Sequence, residues 1–408
     1  MGFKGASVWD ALGVGYIISY IKASGFPGQI EFYSGAFDSD ETIIKTCEDA
    51  DLAGFSCTSP QLKHALTLAS KIKTVNLECK TVFGGWHPTA MPGSTLKMAN
   101  VDYVVVGEGE EGMLRLVNGE TNERIVYSEP IKNLDLLPWS DRDTIKVERH
   151  IQLAYKENGE RITSIMGTRG CPFRCVYCSE FLMTRGLIRM RTPSKLVDEI
   201  EYVVGKYKID LLKFVDAEIN KSVSWVKSLC KELIDRRVDV EFEANIHAAF
   251  ADKEMFQLMK RAGFRQIDIG VETGSPRILK AMRKGTTINQ IRKVFKWSKQ
   301  AGLLRRAYFM VGMPEEKPED VKLTFKLAEE IEPDMVGMTI LMPFPGTYIF
   351  NKYVKSENWD WSVCDEYGNP YWKTEAFNNE DLKVIQKTFM EKFRDRLCYR
   401  LRQHCNSS

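Results

Sequence analysis

The chain has 408 residues, 44% of them hydrophobic and 11% aromatic, enough to bury cores for two or three domains and to exclude global disorder. Its 57 basic and 55 acidic residues leave a net charge of +2, which argues against a broad nucleic-acid or membrane surface. Ten cysteines do not make a disulfide scaffold at this length, no basic-then-apolar leader precedes Trp9, and the apolar run 12–21 is too short to span a bilayer. A cytoplasmic protein is expected, in which clustered cysteines serve a metal or catalysis.

Taken in chain order, residues 9–24 read as a helix closed by Gly25, and 29–33 as a short extended run. Residues 52–56, 81–83 and 103–106 read as buried strands, with a helix over 62–73 between the first two. Apolar strands alternating with helices predict a doubly wound parallel sheet over 1–120. Ligands bind such sheets at the strand C-terminal ends. The turns Ser56-Cys57-Thr58, Gly84-Gly85 and Gly107-Glu108-Gly109 fall there. Residues 121–155 show little periodicity and read as a linker.

The alternation restarts at Ile162. Strands are expected over 163–166, 211–215, 240–244, 266–271, 306–311 and 335–341, with helices over 194–207, 222–236, 252–262, 288–301 and 318–331. Six parallel strands with crossover helices predict a partial barrel or a wide open sheet over 156–350. The extension 351–408 carries Trp359, Trp361, Tyr367, Tyr371 and Trp372, then a helix near 381–402. Those aromatics can line a cavity or cap the barrel.

Just after the first of these six strands stand Cys171, Cys175 and Cys178, spaced C-x3-C-x2-C. Thiolates this close should converge on one point. A [4Fe–4S] cube has four irons, so three thiolates can leave one iron open to an outside ligand. The other reading is zinc, which normally wants four protein ligands; no second C-x2-C pair exists, and a fourth ligand would have to be borrowed.

With Tyr177 before its third cysteine, this run resembles that of the radical S-adenosylmethionine (radical SAM) superfamily. The resemblance continues through Phe214-Val215-Asp216-Ala217-Glu218, Phe242-Glu243-Ala244-Asn245-Ile246-His247, Ile269-Gly270-Val271-Glu272-Thr273-Gly274-Ser275 with its continuation over 279–286, Phe309-Met310-Val311-Gly312-Met313-Pro314 and Pro343-Phe344-Pro345-Gly346-Thr347. It implies that the three cysteines hold a [4Fe–4S] cluster whose open iron is chelated by S-adenosylmethionine. The reduced cluster then cleaves the sulfonium to a 5′-deoxyadenosyl radical. It also implies that Tyr177, Asp216, Glu218, Asn245 and Glu272 hold S-adenosylmethionine. Acidic residues suit its amine and ribose hydroxyls. His247 stands where relatives often carry arginine, so a structural histidine and a binding one both stay open.

Residues 13–112 are similar to the cobalamin-binding domain that precedes the radical domain in one branch of that superfamily. The stretches are Leu12-Gly13-Val14-Gly15-Tyr16-Ile17, Asp51-Leu52-Ala53-Gly54-Phe55-Ser56, Gly84-Gly85-Trp86-His87-Pro88-Thr89 and Val106-Gly107-Glu108-Gly109-Glu110. The resemblance implies cobalamin, with Ser56, Thr58, Gly84, Gly85, His87, Glu108 and Gly109 as candidate contacts. Within Gly-Gly-x-His-x-Thr, His87 reads as loop-shaping more than as a cobalt ligand. The opening strand is shortened or missing within residues 1–8. The implied activity is methyl transfer to an unactivated carbon of a small-molecule or peptide substrate, with flavodoxin or ferredoxin as electron donor. A radical cyclase or rearranging enzyme is the rival, and a non-catalytic cluster or corrinoid binder the distant one. A methylthiotransferase would carry further cluster cysteines and an RNA-binding domain.

Overall fold

The computed structural model describes residues 10–354, 359–365 and 368–405. The opening strand expected within residues 1–8 and Tyr367 lie outside them.

The N-terminal sheet is parallel, with neighbours in the order β1 (Leu52–Ser56), β2 (Lys80–Gly84), β3 (Tyr103–Val106) and β4 (Ile125–Tyr127). Val104, Val105 and Val106 are all buried, the unbroken apolar run of a strand covered on both faces. The helix Leu62–Val75 follows β1 and buries Leu62, Ala65, Leu68, Ala69 and Ile72, an apolar stripe at helical spacing. Two details differ from expectation. Residues 29–33 form no strand, because a short extended run gains nothing without an edge to pair with. Conversely, β4 lies inside the stretch read as a linker: its three residues pair with β3 and sink Val126 completely.

The second sheet has six parallel strands, β5 (Ile162–Ile165), β8 (Leu211–Phe214), β9 (Glu241–Ile246), β10 (Phe264–Glu272), β11 (Leu304–Val311) and β12 (Met335–Ile340), paired in that order with β5 and β12 at its edges. This is the partial (β/α)6 barrel. Along β10, Ile267, Ile269 and Val271 are fully buried in the core that includes Met255, Phe256 and Ile291. The alternate residues Asp268, Gly270 and Glu272 turn to the inner face. A small antiparallel pair, β6 (Thr168–Arg169) and β7 (Arg189–Met190), brackets the cysteine run, with Arg169 opposite Arg189.

The helix Asn379–Cys405 lies along the β12 edge, where Gln386 Nε2 donates to Met338 O at 2.9 Å and Phe389 packs 4.9 Å from Phe309. Ahead of it, Trp372 Nε1 donates to Gly312 O at 2.8 Å. Asp360 pairs with Lys63 at 3.0 Å, and the Trp361 ring stands edge-on 6.4 Å from His87. The extension therefore touches both domains. No helix among the described residues is long and apolar enough to cross a membrane.

Candidate functional site

The cysteine run is held from behind and from both sides. Buried Asp216, at the end of β8, accepts from Gly167 N at 3.0 Å and from the Thr168 hydroxyl at 2.5 Å. Asn245 Nδ2 donates to Asp216 O at 2.9 Å. Within the run, Val176 N donates to Met282 O at 3.0 Å, and Val176 O accepts from Ile349 N at 3.1 Å. Phe173 stacks on His247 with ring centroids 4.0 Å apart. A Cβ on Gly285 would sit 2.2 Å from that phenyl ring, so the glycine makes room for the run. Asp216 and Asn245 thus shape the loop, and the Asp216 carboxylate faces backbone.

Cys171 and Cys175 are partly buried and Cys178 is exposed. Burial raises all three thiols, Cys178 to about 11, with Glu218 adding to the rise at Cys171. They are protonated at neutral pH until iron displaces the protons. Among the described residues, no three His, Cys, Asp or Glu side chains close around a single-ion position. In a cube each thiolate takes a different iron, so the sulfurs stay apart.

Beside the thiols, Glu218 is buried and its Oε1 has no hydrogen-bond partner. Burial raises its carboxyl, with Lys221 working the other way. A buried acceptor without a donor is costly, and an ammonium group would satisfy it. Glu272 ends β10 at φ +63, after a register shift between Gly270 and Glu272. A left-handed glutamate on a bulge marks backbone strain held by its surroundings. Lys284 Nζ donates to Glu272 Oε1 at 2.6 Å and reaches the Tyr177 hydroxyl at 3.4 Å. Burial opposes the Lys284 charge, but the Glu272 carboxylate beside it raises it above the usual lysine value. Burial likewise lifts the Tyr177 phenol. The structure therefore brings Cys171, Cys175, Cys178, Tyr177, Glu218 and Glu272 into one neighbourhood and adds Lys284, which lies in the family-like run 279–286 but had no role assigned from residue order.

His247 resolves as structural. Its Nδ1 accepts from Ala249 N at 3.2 Å, so Nε2 carries the proton and donates to Lys284 O at 3.0 Å. Burial pushes it down to about 4.

At the strand ends of the N-terminal sheet the candidates divide. Ser56 is exposed, as is Gly54 on the same face of β1, where an added Cβ would meet nothing within 4 Å. Gly85 has φ +92, and a Cβ there would lie 2.9 Å from the Cys57 backbone. Thr58 is tied to Gln61 Oε1 through its N–H at 2.9 Å and its hydroxyl at 3.1 Å. Gly109 lets the helix Leu12–Ala23 close in, since its Cβ would meet Ile17 at 2.5 Å. Glu108 is buried and accepts from Arg169 Nη1 and Arg189 Nη1, each at 2.8 Å. Its carboxylate is thereby engaged by the barrel's first hairpin.

His87 is buried against Ser59 Oγ at 2.9 Å, and burial lowers it to about 4 from 6.5. Between those values the unfolded chain binds more protons than the folded one. Stability therefore falls as pH drops through 6.5 toward 4, by about 3 kcal/mol for this residue alone. His87→Gln should flatten that part of the profile in urea unfolding measured from pH 7 to pH 4.5. An equally steep loss in the variant would assign the acid sensitivity elsewhere.

Two family profiles match the chain: the Radical SAM superfamily over residues 165–328 and the B12 binding domain over residues 2–117. The chain belongs to the radical SAM superfamily and carries a B12-binding domain ahead of its radical SAM domain. It is similar to the anaerobic magnesium-protoporphyrin IX monomethyl ester cyclase of Rubrivivax gelatinosus, with 28% identity over 93% of this chain and 73% of that protein. A protein named as an uncharacterized methyltransferase, from Pyrococcus horikoshii, is 27% identical over 93% of this chain and 86% of its own length. The solved structure of the radical S-adenosylmethionine methyltransferase TsrM from Kitasatospora setae, with cobalamin and a [4Fe–4S] cluster bound, shares the fold. Its TM-score is 0.69 at 18% identity, covering 84% of this chain and 71% of that one. The cobalamin-dependent S-adenosylmethionine radical enzyme OxsB, with aqua-cobalamin and S-adenosylmethionine bound, gives 0.66 at 19%, covering 81% of this chain and 50% of that one.

This radical SAM enzyme uses a [4Fe–4S] cluster, S-adenosylmethionine and cobalamin. The residues present fit that set. Three free cysteines stand within eight residues, the Glu218 Oε1 beside them lacks a donor, and β1 ends in an open face of small residues.

Proposed function

We propose that this radical SAM enzyme is a cobalamin-dependent methyltransferase acting on an unactivated carbon of a small-molecule or peptide substrate. One observation carries the reading: the strand-end turn of the B12-binding domain is joined by buried ion pairs to the strand that leads into Cys171. When bound, the cluster supplies the electron that cleaves S-adenosylmethionine and the corrinoid supplies the methyl group. The chain's own residues do the positioning. Cys171, Cys175 and Cys178 each hold an iron, Glu218 accepts from the methionine amine, and Tyr177 with the Glu272–Lys284 pair borders the nucleoside. Exposed Ser56, with Gly54 beside it on the open face of β1, leaves room for the corrinoid's nucleotide tail, and Gly84 and Gly85 hold the neighbouring turn close to the protein's own backbone. A flavodoxin or ferredoxin delivers the electron.

The second reading, ring formation without methyl transfer, is favoured by the cyclase relative that matches across nearly the whole chain. Anaerobically reconstituted protein, given reductant, cobalamin and S-adenosylmethionine, separates the two without knowledge of the substrate. A methyltransferase releases S-adenosylhomocysteine as it methylates the corrinoid. A cyclase yields 5′-deoxyadenosine alone. Protein that takes up zinc and no iron would refute both.

A further inference from the structure

Four arginines and four carboxylates gather where the two domains meet, Arg169 with 11% of its side chain exposed and the others with 5% or less: Arg142, Arg169, Arg189 and Arg191 with Asp10, Glu108, Glu110 and Glu199. The charges balance, and none of the four arginines belongs to the cofactor set described above. One half of the network is structural scaffolding. Arg142 donates to Thr163 Oγ1 and Ser164 O at 3.2 and 2.7 Å and lies 3.4 Å from Asp10, while Glu199 pairs with Arg191.

The other half has a distinctive address. Arg169 lies on β6, two residues ahead of Cys171, and Arg189 stands opposite it on β7. Their partners, Glu108 and Glu110, sit at the turn that ends β3 in the B12-binding domain. Arg169 spans both carboxylates, with Nη1 at 2.8 Å from Glu108 Oε2 and Nη2 at 2.6 Å from Glu110 Oε1. Its Nε is 3.3 Å from Met166 Sδ. A planar fork with all three nitrogens engaged cannot be replaced by the point charge of lysine. Arg189 pairs with the same Glu108 and donates to Ile131 O at 2.8 Å, and Arg185, in the same connection, donates to Ser128 O at 3.1 Å.

Ordinary interface charges would be exposed and mobile. Here Glu108, Glu110 and Arg189 are buried and Arg169 is largely covered, so any relative movement of the two turns would strand charge away from water. We propose that Arg169 is a positioning residue that clamps Glu108 and Glu110, and thereby fixes the separation between the corrinoid on the B12-binding domain and the cluster in the Cys171 loop. The inference rests on the proposed use of both cofactors in one reaction, and its test reads geometry and not product.

The test uses holoenzyme loaded with cluster and cobalamin, reduced so that the cluster and cob(II)alamin each carry one unpaired spin. Pulsed electron paramagnetic resonance then measures the cobalt–cluster distance distribution. Wild type should give one narrow distribution. Arg169→Lys and Glu110→Gln should each broaden it at least twofold, with iron, sulfide and cobalamin content unchanged. The double variant should be no broader than the worse single one, because both substitutions open the same clamp. A wild-type distribution in Glu110→Gln, or additive broadening in the double variant, would overturn the proposal. Should Arg169→Lys fail to load its cluster, Glu110→Gln decides the matter from the other domain. A narrow wild-type distance in an enzyme that makes no methylated product would refute the methyltransferase reading and leave the clamp standing.

Discussion

Cys175→Ala should reduce 5′-deoxyadenosine formation to background, a loss of at least about a thousandfold in rate, or about 4 kcal/mol of barrier. The size follows from the ligand count: with three thiolates available, losing one leaves two irons without protein ligands. The fold should survive. The neighbouring Val176 is fixed through its backbone to Met282 and Ile349, and those bonds do not involve the sulfur. Deleting one partly buried thiol should cost about 1 kcal/mol of stability. Iron content, the anaerobic absorption spectrum and 5′-deoxyadenosine yield, measured beside a thermal unfolding curve, separate the two effects. Turnover retained at the wild-type rate would remove Cys175 from the cluster.

Glu272→Ala should be the most destabilising of the single substitutions considered. Its carboxylate neutralises Lys284, and both side chains are only 12% exposed. Removing one partner of a buried pair typically costs about 3–5 kcal/mol, because the remaining charge has no water to turn to. The backbone adds to this, since alanine at φ +63 keeps the strain and supplies no compensating contact. S-adenosylmethionine binding should weaken with it. Cluster loading should weaken too, because Lys284 O holds His247, on which Phe173 of the cysteine run is stacked. The double variant Glu272→Ala/Lys284→Met should recover most of the stability without recovering the affinity. Urea unfolding and calorimetric titration with S-adenosylmethionine read these separately. A wild-type unfolding midpoint in Glu272→Ala would mean that Lys284 finds another partner.

The cysteine run and the strand-end positions could be read from residue order because both are local: three thiols within eight residues, and turns that follow apolar runs. Partners could not. Glu108 looks like a ligand contact in its Gly-rich turn, yet the arginines that take it up lie 61 and 81 residues away. Lys284 lies in the family-like run 279–286, but residue order gives it no partner. Its pairing depends on the bulge between Gly270 and Glu272, which no periodicity announces. The same limit explains the strands. β4 is three residues long and exists only because the β3 edge was free to receive it, whereas residues 29–33 alternate like a strand and find no edge. Asp216 and Asn245 stand at the expected strand ends, but a residue's place along a strand does not say whether its side chain meets a ligand or the backbone behind it.

The bridge made by Asp360 and Trp361 also bears on how this molecule is made. Domains fold as they leave the ribosome, the earlier ones first. All strands of both sheets precede residue 360 in the chain, so the contacts to Lys63 and His87 are among the last that synthesis makes possible. The extension therefore ties the last part of the chain to the turn that carries His87 in the first domain.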